Sequence, residues 1–224
     1  MVRKGHVPEK RWNSQATFLP LALPEVFKQI YYHLYTNSNI PRAERLGAEM
    51  TRLLFCKIYD EVQNASDPKF TADPDENELK VANRIRQLLE EVKNAYSDVF
   101  DKDEKLHLDD RSIVYVVRRL KDYSLLSTSR DVISESFQAF WGPGLRGEKG
   151  QFFTPRNVVR LCVGFLEPKT SERIIDPACG SGGFLVESTS HLSEVEKSER
   201  KPSLFDNVFG IDKEVDLAKI AKAY

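Results

Sequence analysis

The sequence has few cysteines, almost no net charge and no long apolar run, and each absence excludes a class of protein. Its three cysteines form no CxxC pair, so we predict neither a disulfide framework nor a metal site. The 33 Lys and Arg nearly cancel the 34 Asp and Glu, which excludes a polybasic tail protein. The apolar run at residues 18–23 is interrupted by Pro20 and is too short for a signal peptide or a membrane span. We therefore expect a cytoplasmic protein that does not enter a membrane.

What the sequence does contain is enough apolar material for a packed core, at 41% of the 224 residues. In the first half the apolar residues recur at spacings of three and four, which predicts helices. The two clearest stripes are Leu46, Met50, Leu53, Leu54 and Ile58, and Ala82, Ile85, Leu89, Val92 and Tyr96. The acidic segment 64–78 between them contains two prolines and predicts a surface loop. Asp109 and Asp110 lie where the caps of a third helix belong, and residues 131–140 predict a fourth.

After Trp141 the pattern changes to helices that alternate with short strands. Thr154 and Pro155 predict the cap and first turn of a helix that continues through Val158, Val159, Cys162 and Phe165. The following signals predict a strand over 173–176, a helix from 182 to about 192, a strand over 207–212 and a helix from Glu214 onward. This order of strand, helix, strand and helix predicts the beginning of a parallel, doubly wound sheet.

Residues 174–185 read IIDPACGSGGFL, which predicts a strand that ends in Asp176, a tight glycine turn and the start of a helix. Small residues let the backbone approach a ligand closely, and the free N–H groups of a helix start favour an anionic group. Because no lysine occurs between Lys169 and Lys197, this is not a phosphate-binding P-loop. Leu185 occupies the third glycine position of GxGxxG, which disfavours a hydride-transfer cofactor. We predict a site for a different nucleotide-like ligand.

Two residues near this turn have competing interpretations. Asp212 ends the second strand, where an acid can accept hydrogen bonds from both hydroxyls of a ribose. Alternatively, it caps the helix that follows. Cys179 invites a nucleophile interpretation, but it lies inside the glycine turn and the sequence has no Pro-Cys pair, so we do not assign it a catalytic role. Cys56 and Cys162 lie on predicted apolar helix faces and are interpreted as packing residues.

Two motifs in this order resemble a known family. GQFFTPR at 150–156, about 20 residues ahead of DPACGSGGFL at 176–185, is similar to the amino-methyltransferases of DNA, specifically the modification (M) subunit of type I restriction systems. The resemblance extends to residues 46–61 and 131–140, and it weakens over the loop at 64–78.

The resemblance implies an α + α/β fold and a site for S-adenosylmethionine. The implied organisation is an N-terminal arm at 1–18, a helical N-terminal domain at 19–128, and at 129–224 the beginning of a Rossmann-like methyltransferase domain with an incomplete sheet. By the same resemblance, Ser181, Gly182 and Gly183 line the methionyl end of the cofactor and Asp212 holds its ribose. The remaining implied cofactor residues are Gln151, Phe152, Phe153, Thr154, Pro155, Arg156, Asp176 and Gly180. For Phe152 and Phe153 the alternative is a hydrophobic staple and core ahead of the helix.

The implied function is site-specific methylation of adenine N6 in double-stranded DNA, together with specificity and restriction subunits of the same system. Adenine rather than cytosine rests on the resemblance alone. The family's catalytic motif, (Asn/Asp)-Pro-Pro-(Phe/Tyr), does not occur in the sequence, and its distant imitation at 67–70 lacks the second proline. We therefore assign no catalytic residue, and expect an N-terminal portion of a longer protein that does not methylate DNA alone.

A second hypothesis is a helical module that binds DNA or partner subunits and carries a vestigial cofactor site. Its contact surface would be the basic residues Arg111, Arg118, Arg119, Lys121 and Arg130. A third, a methyltransferase for small metabolites, leaves the helical N-terminal segment without a role. The first hypothesis predicts binding of S-adenosylmethionine, whereas the second predicts salt-sensitive association with DNA.

Overall fold

The structure is a computed structural model and describes residues 22–40, 43–64, 66–128, 132, 136, 140, 154–195 and 206–223. Four helices come first: α1 (Leu23–Asn37), α2 (Ala43–Gln63), α3 (Glu78–Ala95) and α4 (Asp110–Leu120). They are followed by α5 (Arg156–Leu166), β1 (Ile174–Asp176), α6 (Gly183–Val195), β2 (Val208–Gly210) and α7 (Val215–Ala223). We refer to residues 22–128 as the helical part and to residues 154–223 as the sheet part. None of the helices in the described ranges combines the length and the apolarity needed to cross a bilayer.

The helical part confirms both predicted apolar stripes. On α2, Leu46, Met50, Leu53 and Leu54 are buried, and on α3 the buried set includes Ala82, Ile85, Leu89 and Val92. Ile58 and Tyr96 pack against this core while remaining partly exposed. The predicted cap at Asp109 is also confirmed and belongs to α4, because the side chain of Asp109 accepts the backbone N–H of Ser112 at 2.9 Å.

In the predicted surface loop at 64–78, residue 64 and residues 66–77 lie outside helices and strands and α3 begins at Glu78, but the prediction that the segment lies on the surface is wrong at Phe70 and Ala72. Both are buried in the core of the helical part. The carboxylate of Asp60, itself buried on α2, accepts the backbone N–H groups of Lys69 at 3.0 Å and Phe70 at 2.8 Å. One aromatic side chain and one buried acceptor therefore anchor a segment whose composition is otherwise polar.

Helix α2 also holds two other loops through carboxylates. Glu49 accepts the backbone N–H groups of His107 at 2.8 Å and Leu108 at 3.2 Å. Glu61 accepts those of Leu125 at 2.9 Å and Leu126 at 3.1 Å. Burial raises the pKa of Glu49, and nearby Arg52 and the two amide bonds offset only part of this rise. The acids of α2 thus satisfy loop amides that the fold removes from water.

The sheet part contains the predicted strand, helix, strand and helix in that order. Strands β1 and β2 are parallel neighbours, with Ile174 opposite Val208 and Asp176 opposite Gly210. Helix α6 connects them, as a parallel pair requires. The second strand ends earlier than predicted, at Gly210 rather than at Asp212.

Helix α5 begins one residue later than predicted. Its N-cap is Pro155, which has an extended ψ of 138° and makes no side-chain cap bond, so the predicted cap role of Thr154 is wrong. The predicted apolar face is only partly buried: Val159 is in the interior, whereas Phe165 is 80% exposed. Helix α5 packs against α6, and Arg160 Nε lies 3.4 Å from Glu187 Oε1 on that helix.

Helix α7 and the residue Phe140, both beyond residue 128, contribute to the core of the helical part. Leu217 and Ile220 of α7 join the same buried cluster as the side chains of α1 to α4. Phe140 also joins it and makes edge-to-face contacts with Phe27 and Tyr31 of α1. In the predicted helix at 131–140, the backbone is helical at residues 132 and 136, and the other residues except Phe140 lie outside the described ranges.

Candidate functional site

The glycine loop, residues 177–182, joins the end of β1 to the start of α6. Its backbone continues the pairing of the two strands, because the N–H of Ile211 donates to the carbonyl of Asp176 at 2.9 Å and the N–H of Cys179 donates to the carbonyl of Ile211 at 2.9 Å. Beyond these bonds, the N–H of Gly180 donates to the carboxylate of Asp212 at 2.8 Å. The loop is therefore held against the carboxyl end of β2.

The glycines of this loop serve different purposes. Gly180 has a φ of +53° and Gly182 a φ of +87°, a region that side chains disfavour. A Cβ on Gly182 would also come within 3.0 Å of the Ala221 Cβ on α7. By contrast, a Cβ on Gly183, the first residue of α6, would meet no atom within 4 Å. A side chain at position 182 is thus disfavoured by the positive φ and by the tight approach to Ala221, while Gly183 leaves open space beside the start of the helix.

Gly210 is a structural residue of the site that the sequence analysis missed. A Cβ at this position would lie 2.6 Å from Leu185 Cδ1 and 3.0 Å from the sulfur of Cys179. The close approach of β2 to the glycine loop therefore depends on Gly210. A glycine inside a predicted strand is the signal that could have identified it.

Asp212 uses both carboxylate oxygens within the protein. One oxygen accepts the N–H of Glu214 at 2.8 Å, just ahead of α7, and the other accepts the N–H of Gly180. The acid therefore braces the start of α7 and also ties it to the glycine loop. Because a carboxylate oxygen can accept two hydrogen bonds, each oxygen keeps capacity for a ligand hydroxyl.

Asp176 and Cys179 shape the loop. Asp176 accepts the backbone N–H of Ala178 at 3.1 Å, which fixes the first turn after β1. Cys179 is 7% exposed, and burial, reinforced by the charges of Asp212 and Asp176, raises the pKa of its thiol. A thiol that resists ionisation is a poor nucleophile, which supports the non-catalytic interpretation of Cys179.

The structure brings together half of the predicted site residues. Asp176, Gly180, Ser181, Gly182, Gly183 and Asp212 gather at one edge of the sheet, and Ser181 is buried there. Thr154, Pro155 and Arg156 are exposed at the beginning of α5. Gln151, Phe152 and Phe153 lie outside the described ranges. Within those ranges, no group of three metal-ligating side chains occurs.

The basic residues of the second hypothesis are partly engaged within the helical part. Arg118 donates to the backbone carbonyls of Asp73 and Pro74, both at 3.1 Å. Arg119 donates to the side chain of Gln29 on α1. Arg111 is exposed, and Arg130 lies outside the described ranges. Arg118 and Arg119 therefore have structural roles, so their replacement would disturb the fold as well as any contact with DNA.

Comparison with known proteins confirms the resemblance to DNA amino-methyltransferases. Residues 133–223 match the model of the N-6 DNA Methylase family. The EcoEI type I restriction enzyme methylase subunit of Escherichia coli is 41% identical over 69 residues, which are 30% of this chain and 14% of that protein. The MjaIX methylase subunit of Methanocaldococcus jannaschii is 35% identical over 99 residues, 42% of this chain and 16% of that protein.

A solved structure extends the likeness to the helical part. A modification subunit assigned to a type I restriction enzyme from Vibrio vulnificus YJ016 aligns with 94% of this chain at a TM-score of 0.53 and 17% identity. The alignment covers 54% of that subunit, so this chain spans about half of its length. At this identity the likeness shows that the fold is shared.

Proposed function

We propose that the sheet part supplies part of an S-adenosylmethionine site in a DNA adenine-N6 methyltransferase of the type I modification-subunit kind. The proposal includes double-stranded DNA and the specificity and restriction subunits of the same system as partners, and the cytoplasm as the setting. We further propose that the chain is organised as an arm at 1–18, a helical domain at 19–128 and the beginning of a Rossmann-like methyltransferase domain at 129–224.

The observation that supports the proposal best is the position of Asp212 beside the glycine loop. In parallel sheets ligands bind at the carboxyl edge of the strands, and an acid at the end of the second strand can accept the hydroxyls of a ribose. Asp212 lies at this edge, bonded to Gly180 and with one acceptor site left on each oxygen. The groups present therefore fit the ribose of a nucleoside cofactor.

The start of α6 fits the other end of the same cofactor. The first N–H groups of a helix have no partner within the helix and favour a carboxylate. Gly183 leaves open space beside these groups, because a Cβ at this position would meet no atom within 4 Å beyond its chain neighbours and its own helix backbone. When bound, S-adenosylmethionine would supply an activated methyl group, and the residues described here would hold and orient it.

The protein groups at this site bind rather than react. Cys179 is buried with a raised thiol pKa, and each oxygen of Asp212 already accepts one backbone N–H. The motif that positions the target amine in this family does not occur among the 224 residues. We therefore propose that the chain alone binds the methyl donor without methylating DNA. Incubation with labelled S-adenosylmethionine and mixed-sequence DNA tests this, and methyl transfer above background would refute it.

Calorimetric titration with S-adenosylmethionine tests the cofactor site, and Gly183→Ala is the variant of choice. Alanine fits the helical backbone at this position and meets no protein atom, so the fold should tolerate it, while its methyl group enters the proposed ligand space. We expect the wild-type chain to bind and Gly183→Ala to bind at least about tenfold more weakly, which is a loss of about 1.4 kcal/mol.

Gly164→Ala is the matched control for this titration. Gly164 also lies in a helix, α5, with no atom within 4 Å of its Cβ position, but it is remote in sequence from the glycine loop. This control should bind like the wild type. Absence of binding by the wild-type chain would contradict the proposed site, and equal binding by both variants would remove Gly183 from it.

A further inference from the structure

We propose that α7 is a positioning element through which the helical part holds the glycine loop in place, and that Lys219 anchors α7 for this purpose. The inference rests on the proposed function only for the identity of the ligand, because the structure of the loop can be measured without any ligand. A contact distant from the ligand would then determine how well ordered the ligand site is.

The first observation is that α7 is packed into the helical part. Leu217 and Ile220 are 4% and 2% exposed and belong to the buried cluster of that part. Helix α7 packs against α2. A helix that follows the second strand of the sheet is therefore fixed by apolar burial on a different layer of the molecule.

The second observation is an ion-pair cluster at this contact. Lys219 pairs with the carboxylate of Glu104, which also accepts a hydrogen bond from Arg52 Nε at 3.1 Å. The ammonium of Lys219 lies 4.8 Å from the ring centre of Phe100. The side chains of Lys219, Glu104 and Arg52 are only 10%, 12% and 14% exposed. Burial raises the pKa of Glu104, but the bond from Lys219 and neighbouring groups outweigh it, so the pKa is lowered and the carboxylate stays charged.

The third observation is that the same segment touches the glycine loop at two points. Ala221 lies so close to Gly182 that a single added carbon at Gly182 would stand 3.0 Å from the Ala221 Cβ. Asp212, just ahead of α7, accepts the N–H of Gly180. A shift of α7 relative to the helical part would therefore displace Ala221, which packs against Gly182, and Asp212, which accepts the N–H of Gly180.

Coupling of this kind is reciprocal. If docking of α7 orders the glycine loop, then a ligand that needs the ordered loop must in turn stabilise the docking of α7 by the same free energy. Removing the Lys219 ion pair should then both decrease the order of the glycine loop and weaken ligand binding. A purely local role for Lys219 would loosen α7 and leave the loop unchanged.

Hydrogen exchange of the full chain, measured by mass spectrometry without ligand, separates these two cases. The amides of Cys179, Gly180 and Gly182 are all hydrogen-bonded and report on the order of the loop. In Lys219→Met, which keeps the apolar stem of the side chain, we expect these amides to exchange about tenfold faster, since breaking a buried pair is costly. Faster exchange in α7 with unchanged exchange in the loop would overturn the proposal, as would unchanged exchange in both.

Glu76→Gln is the matched control for general loss of stability. Glu76 forms an ion pair with Arg84 inside the helical part, with side chains 15% and 25% exposed, and Arg84 also donates to the carbonyls of Lys69 and Thr71. This variant should leave the exchange of the glycine loop at the wild-type rate. Equal acceleration of the loop in both variants would mean that Lys219 acts only through overall stability, and the proposal would be wrong.

An exposed pair provides a second test if Lys219→Met does not fold. Lys222 of α7 pairs with Asp98, and both side chains are more than half exposed. Lys222→Glu should accelerate exchange of the loop amides about two- to fivefold, the range expected for a surface pair, and Asp98→Lys in the same chain should restore it. No acceleration, or acceleration that the second change fails to reverse, would contradict the coupling.

Titration with S-adenosylmethionine then links the coupling to the proposed site. We expect Lys219→Met to bind more weakly than the wild type by about the factor by which loop exchange increases, while Glu76→Gln binds normally. Should the wild-type chain not bind, the proposed function fails, and the exchange data still decide whether α7 orders the loop.

Discussion

The backbone N–H of Gly180 donates to the carboxylate of Asp212 at 2.8 Å, although 32 residues separate them in the sequence. This bond joins the loop after the first strand to the end of the second. The other oxygen of the same carboxylate receives the N–H of Glu214. Asp212 therefore has a structural role before any ligand binds, and the two interpretations of this residue, ribose ligand and helix brace, are compatible.

Replacement of Asp212 by Ala should destabilise the fold itself. The change removes the acceptor of two partly buried amides, those of Gly180 and Glu214, and a hydrogen bond to a charged group contributes about 1.5–3 kcal/mol. Asp206→Ala is the control, because Asp206 is an exposed acid in the turn ahead of β2. Urea unfolding measures both variants. Equal free energies of unfolding for the two would show that Asp212 does not brace the site.

Replacing Gly180 and Gly182 by alanine should distinguish two contributions to the loss of stability, namely backbone strain and side-chain packing. Gly180 and Gly182 both have positive φ, and a non-glycine residue there costs about 1–2 kcal/mol. Gly182→Ala should cost more than Gly180→Ala, because its Cβ would also stand 3.0 Å from the Ala221 Cβ and Ala221 would have to give way, whereas a Cβ at position 180 would meet no atom within 4 Å. The free energy of unfolding of each variant tests the order. The reverse order would mean that α7 does not press on the loop.

Periodicity and capping chemistry predict the helical part well. The apolar stripes of α2 and α3 are buried because side chains at three- and four-residue spacing share one helix face. The cap at Asp109 is found because a cap involves only adjacent residues. Phe70 escapes prediction because its burial depends on Asp60, an acid on another element whose partners no local pattern reveals.

The sequence predicts the position of the glycine loop but not the residues that support it. A predicted strand that is followed directly by a glycine turn puts the loop at the carboxyl end of β1, where the structure has it. Gly210 and Ala221, by contrast, lie against the loop only after β2 and α7 have packed, so their roles depend on contacts distant in sequence. The exposure of Phe165 on α5 is unpredicted for the same reason, since it depends on tertiary packing. Phe165 fits the apolar stripe of the helix, but Val159 is the residue buried where α5 packs against α6.

The ion pair of Glu76 with Arg84 should make the stability depend on pH in the acid range. The hydrogen bond from Arg84 lowers the pKa of Glu76 from its ordinary 4.5 to about 2. Because the folded state lowers this pKa, the pair contributes stability fully above about pH 4.5 and loses it as the pH falls toward 2. The difference in unfolding free energy between wild type and Glu76→Gln should therefore shrink between pH 5 and pH 2.

Asp75→Asn is the control for this pH series, because Asp75 is an exposed acid in the same loop. Urea unfolding of this variant at the same pH values shows how much of the change comes from removing one negative charge from the loop. A difference for Glu76→Gln that stays constant down to pH 2 would show that the ion pair does not hold the carboxylate in its charged form.

The three thiols should differ in their reactivity with an alkylating reagent. Burial raises the pKa of Cys56 and of Cys179, and the thiolate is the reactive form, so both should label slowly at pH 8. Cys162 is partly exposed on α5 and should label first. Mass spectrometry of peptides after timed exposure to iodoacetamide measures the order, and Cys162→Ser should remove the fast phase alone. Rapid labelling of Cys179 would mean that the glycine loop opens readily, and that the contacts from Asp212 and Gly210 do not keep its sulfur enclosed.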